Sequence, residues 1–128
     1  MTQNRETGAA ANQFGKDAAK IIAGHLGLKM LTKISNEVTY NGQQAVIKSA
    51  HLGNGYIGVS LKMLERIDII IAAFENTDGH YDLYTLDVKT FKNNIRIGHH
   101  EHIGLVTKII FLEEGKFIKT VKLEKGGL

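Results

Sequence analysis

The chain contains no cysteine among its 128 residues, so neither a disulfide framework nor a thiolate metal site can form. Proline is absent too, and nothing in the sequence marks a linker, an internal repeat or a low-complexity tract. No run reaches the roughly 18 consecutive apolar residues that a membrane-spanning helix needs. The opening residues, Met1-Thr2-Gln3-Asn4-Arg5-Glu6, lack the basic and apolar blocks of a secretory signal. These absences lead us to expect a soluble, unexported, cytoplasmic protein with no membrane partner.

What is present is a hydrophobic content of 43%, enough for one core in a chain of this length and too little for a second. The expected organisation is a single domain over residues 1–128, with 1–11 flexible. The formal charge of +3 is unevenly spread: residues 1–48 carry +3, residues 49–88 carry −4 and residues 89–128 carry +4. Basic charge at both ends fits an anionic partner if the ends meet in space, and equally fits a solvated surface of mixed sign.

Phe14, Ala18, Ile21, Ile22 and Leu26 recur at helical spacing, which predicts an amphipathic helix from about Gln13 to Leu26. Strands follow at Leu28–Ile34, Glu37–Tyr40 and Gln44–Ala50, the last two joined by Asn41-Gly42, a strong hairpin signal. The Gly53-Asn54-Gly55 stretch reads as a loop, Ser60 as the cap of a short helix reaching Arg66, and Asp68–Phe74 as a central strand buried on both faces. Beyond a turn at Asp78-Gly79, a strand is expected over His80–Leu86 and a helical turn over Asp87–Lys92. A final hairpin is expected to pair Val106–Leu112 with Lys116–Leu123.

The order helix, three strands, helix, strand, together with Phe14-Gly15-Lys16, His25-Leu26-Gly27, Tyr40-Asn41-Gly42, Lys48-Ser49-Ala50 and Arg66-Ile67-Asp68, resembles the restriction-endonuclease-like nucleases with a PD-(D/E)XK signature. The resemblance spans residues 13–74. It implies an α/β fold with a mixed sheet, a nuclease-like core and a β-rich extension over 75–128. It also implies a metal-dependent endonuclease of restriction or homing type acting on double-stranded DNA, with Mg²⁺ or Mn²⁺ as cofactor. Because one active site cuts one strand, a homodimer or higher homo-oligomer is the expected partner state.

In that family the acidic residue opening the second strand binds metal, and by the resemblance Glu37 takes its place. Lys48 takes the lysine position beside the attacking water. Phosphodiester hydrolysis needs such groups to hold a hard cation through oxygen ligands and to neutralise charge growing on the phosphate. The chain departs from the signature at Val46, where a carboxylate is usual. Gln44, on the same strand face as Val46 and Lys48, the carbonyl of Ile47, and Asp17 on the first helix are the substitutes the resemblance leaves for the ligand set. Without the resemblance, Lys48 reads as a snorkelling strand lysine, and Glu37, Gln44 and Asp17 as solvated or backbone-bonded polar residues.

Val46 also supports an alternative, a catalytically degenerate nuclease-fold module that binds nucleic acid or assembles with partners without cleavage. A third option is an unrelated small α+β protein in which the lysine strand is coincidental. The remaining conspicuous group is His99-His100-Glu101-His102. His99 or His100 with His102 offers imidazoles to a zinc ion, but the spacing matches neither the helical His-Glu-x-x-His motif nor a finger; with Lys92, Asn93, Asn94 and Arg96 the group reads rather as a set of donors to phosphates or base edges, or as a plain polar loop.

Overall fold

In the computed structural model, which describes residues 5–31, 36–97 and 102–123, the first helix, α1, runs over Arg5–His25. It starts earlier than the apolar periodicity implies. Ala9, Ala10 and Ala11 are strong helix formers and carry the helix back beyond Phe14, the first periodic residue. Residues 5–12 are therefore helical, ahead of the start near Gln13 that the periodicity implies.

After α1 only one bridge, Met30 to Val38, stands where a strand over Leu28–Ile34 was expected; residues 32–35 lie outside the described set. Strands β1 (Glu37–Tyr40) and β2 (Gln43–Ala50) then form an antiparallel pair. Asn41 (φ 50°) and Gly42 (φ 79°) are both left-handed, the geometry of a two-residue turn whose twist matches that of the flanking strands. That turn sets the register, which places Glu37 opposite Val46.

The chain continues through β3 (Tyr56–Ser60) and α2 (Leu61–Leu64), where Ser60 Oγ accepts the Met63 N–H at 3.1 Å. It returns as β4 (Ile69–Glu75), parallel to β2. A parallel return cannot be made by a tight turn, so the crossover carries elements of its own. Strand β5 (Tyr81–Asp87), helix α3 (Val88–Asn93), strands β6 (Arg96–Ile97) and β7 (Ile103–Thr107), helix α4 (Lys108–Glu114) and strand β8 (Lys116–Val121) complete the order.

Among the described residues two sheets form, one of five strands in the order β1-β2-β4-β5-β8 and one of three in the order β3-β7-β6. Alternation along the strands divides the core between the faces of the larger sheet. Ala45, Ile47, Ile69, Ile71, Ala73 and Leu83 meet Ala18, Ala19 and Ile22 of α1. Val46, Ile70, Ala72, Phe74 and Leu86 meet Ile57, Val59, Phe91, Val106 and Phe111 from the small sheet and the shorter helices. Strand β4 is buried from Ile69 to Phe74 because both its faces are covered.

The C-terminal half departs most from expectation. Lys108–Glu114 is a helix, not the second half of a strand, and β8 pairs with β5 instead of forming a hairpin with Val106–Leu112. The physical reason lies in which residues are buried. Ile110 and Phe111, adjacent in sequence, both pack on the core while Ile109 and Leu112 are 51% and 43% exposed, a pattern that strand alternation cannot produce. Among the described residues, the segment after β4 supplies two strands of the large sheet and two of the small one, with two short helices between them. The architecture is mixed α+β.

Candidate functional site

Glu37 opens β1, and because it sits directly opposite Val46 their side chains project to one face of the sheet. Lys48, two residues beyond Val46, projects to that same face, as does Gln44. The pairing therefore gathers the sequence-predicted acid and lysine on one surface, with Ile70 and Ala72 of β4 beside Val46 and Lys48.

The acid is not free to hold a cation. Glu37 is 5% exposed, and Arg66, in the turn between α2 and β4, donates Nε to Oε1 at 3.1 Å and Nη2 to Oε2 at 3.4 Å. A fork of this kind engages both carboxylate oxygens at once. The hydrogen bonds and charge of Glu37 in turn raise the Arg66 pKa further. Arg66 belongs to the site although its sequence position alone marked only the end of a predicted helix. An arginine placed just before a central strand was the available signal.

Lys48 is partly buried and makes no ion pair among the described residues. Loss of water around its amine pushes the pKa below the ordinary lysine value. Val46 is 1% exposed and packs in the core, so the position where the signature has a carboxylate is apolar and closed. Gln44 is tied through its backbone: its N–H donates to Asp68 Oδ2 at 3.0 Å, and its carbonyl accepts from the Asp68 N–H at 2.7 Å. Ile47 turns its side chain to the opposite core and donates its N–H to the Asn36 carbonyl at 2.8 Å.

Asp17 does not join this group. The helix that carries it packs on the face formed by Ala45 and Ile47, the other side of the sheet from Glu37 and Lys48. Among the described residues no three His, Cys, Asp or Glu side chains come together to hold a metal. One carboxylate already bound to a guanidinium is a poor match for Mg²⁺, which takes oxygen ligands in a strict octahedral arrangement. The residues present do not fit that ion.

The predicted nucleic-acid element lies elsewhere. Lys92 and Asn93 end α3, Arg96 begins the edge strand β6, and His102 precedes β7; all four are exposed. Asn94 instead turns back, its Nδ2 donating to the Thr90 carbonyl at 2.9 Å, and serves the helix end. His99 and His100 lie outside the described residues. Lys89, Lys92 and Arg96 form a stretch of exposed cations, none within ion-pair distance of a carboxylate among the described residues.

No protein-family model matches the chain, and no curated protein matches it in sequence. No described helix is long and apolar enough to cross a membrane.

Proposed function

We propose that the chain is a nuclease-like fold whose cleavage site has been given over to structure, and that it acts as a nucleic-acid-binding module without cutting. The observation that carries this reading is the Glu37–Arg66 fork facing a closed Val46. Hydrolysis of a phosphodiester needs ligands that can exchange water for a cation and substrate. Here the carboxylate opposite Val46 is occupied by a guanidinium, and Val46 itself is a buried apolar side chain. Binding requires much less. The exposed cations of α3 and β6 can neutralise backbone phosphates regardless of base sequence.

The test pairs two assays on the full chain. Supercoiled plasmid incubated with Mg²⁺ or Mn²⁺ is expected to remain uncut, while fluorescence anisotropy with duplex DNA shows binding that weakens as salt rises. Replacing Lys92 and Arg96 together by Ala is expected to reduce the slope of log affinity against log salt by about 2, close to one per lost phosphate contact. Metal-dependent nicking or linearisation overturns the non-cleaving assignment. Affinity indifferent to both substitutions removes α3 and β6 from the interface.

A further inference from the structure

Where β2 and β4 end side by side, the loop His51-Leu52-Gly53-Asn54-Gly55 borders a cavity of about 230 Å³. The carboxyl ends of parallel strands are the places where open sheets commonly hold ligands. Phe74 and Glu75, from the end of β4, and Lys108, the first residue of α4, complete its walls.

The cavity is lined by one carboxylate and one lysine, and the two do not pair with each other. Glu75 is turned to the loop, its Oε1 accepting the Leu52 N–H at 2.8 Å and lying 3.6 Å from His51 Nδ1. Lys108 is not within ion-pair distance of Glu75 or of any other described carboxylate. Its Nζ instead stands 5.5 Å from the centre of the Phe74 ring. The backbone N–H groups of Gly53 and Gly55 donate to no other group among the described residues. The loop itself is anchored: Asn54 N–H donates to the His51 carbonyl at 2.9 Å, the Lys108 N–H donates to the Gly55 carbonyl at 2.8 Å, and the His51 ring lies 4.3 Å from that of Phe14. A lysine with no carboxylate partner and two loop amides with no acceptor among the described residues line the same cavity, a setting for an oxyanion.

We propose that this cavity binds the phosphate of a phosphate monoester, with Lys108 and the amides of Gly53 and Gly55 as donors and the remainder of the ligand leaving past Leu52. Donors drawn from two separate segments suit a terminal phosphate, which has three free oxygens, better than a diester with two. The volume falls below the roughly 300–1,000 Å³ of pockets that enclose drug-sized ligands, so the group inside is small and the rest lies at the mouth. Two sources share this chemistry, a free mononucleotide and a 5′-phosphorylated strand end. The site does not depend on the proposed binding surface along α3 and β6.

Amide NMR of the full chain titrated with thymidine 5′-monophosphate, thymidine, inorganic phosphate, and a short oligonucleotide with and without a 5′-phosphate tests the assignment. Saturable shifts of Gly53 and Gly55 are expected with at least one phosphorylated ligand and not with its unphosphorylated counterpart. A response to the oligonucleotide alone assigns the site to strand ends, and a response to the mononucleotide assigns it to free nucleotides. Lys108→Ala is expected to weaken binding at least about tenfold, the loss of one charge-assisted contact. At Gly55, one of the lining residues, an added Cβ meets nothing within 4 Å, so Gly55→Val is expected to leave the melting temperature unchanged while its branched side chain beside the proposed donor amide weakens binding. Absence of a saturable shift with every monoester, inorganic phosphate binding as tightly as the esters, or unchanged affinity in the Gly55→Val chain overturns the proposal.

Discussion

Glu37 and Lys48 share a sheet face and meet opposite fates. The carboxylate is buried with a partner, which makes its burial tolerable. The amine is partly buried without a partner among the described residues, and its pKa falls because the charged form loses water. The folded chain therefore favours the neutral amine, and the unfolded chain binds the proton more tightly. Stability is reduced by the full amount below the folded pKa of Lys48, and this deficit shrinks as pH rises toward the ordinary lysine value of about 10.4. Replacing Lys48 by Met, similar in length and apolar, is expected to raise stability at pH 7 by about 1 kcal/mol, the low end for exchanging a buried ionic group for a hydrophobic one. Urea denaturation of both chains at pH 7 and pH 10 checks this, and a gap that does not narrow at the higher pH removes desolvation as the cause. The chemistry-bearing residues of this face were legible because turn chemistry and strand parity are local. Arg66 was not, because nothing in its immediate neighbours says that the chain will bring it to Glu37.

At the scale of elements, caps and turns follow from a few neighbouring residues, whereas apolar runs do not fix their own state. Asp87, at the head of the helical turn expected over Asp87–Lys92, caps α3: its Oδ2 accepts the Thr90 N–H at 2.9 Å and its Oδ1 accepts the Thr90 hydroxyl at 2.7 Å. The backbone hydrogen bond from Thr90 is the main reason its pKa lies below the usual aspartate value. A depressed carboxylate contributes stability above its unfolded pKa and loses it as pH falls through the folded value. Asp87→Ala is expected to cost about 1 kcal/mol at neutral pH, as loss of an N-cap does. The difference from the parent chain should fade below the ordinary aspartate range near pH 3.9. Thermal melts of both chains from pH 7 to pH 2.5 measure it, and a constant difference would show that the side chain acts by some means other than its charge. The segment Lys108–Leu112 shows the converse. Its Ile-Ile-Phe-Leu run suits a strand by composition, yet the surface available to it accepts only the Ile110 and Phe111 side.

For the whole molecule, the large sheet is the shared floor of two cores, one closed by α1 and the other by the small sheet with α2, α3 and α4. Damage to either layer should be felt throughout, since β2, β4 and β5 contribute side chains to both. Ile22→Ala, at a fully buried position on α1, is expected to cost about 2–5 kcal/mol through lost burial and an unfilled cavity. Unfolding should stay cooperative, with far-ultraviolet circular dichroism and tyrosine fluorescence giving coincident transitions. Two separated transitions would show that the layers fold independently.

Local rules determined a good part of this protein from sequence alone: the Asn41-Gly42 hairpin, the Ser60 cap, the helical turn that opens at Asp87, the doubly buried β4, and the parity that sets Val46 and Lys48 on one face. Each depends on a few neighbouring residues, so the chain's own order suffices. The return of β8 to β5, the helical state of α4, the side of the sheet taken by α1 and the capture of Glu37 by Arg66 were decided only in three dimensions. These depend on which distant surface remains to be covered once the first strands have paired, and burial area of that kind is a property of the assembled chain.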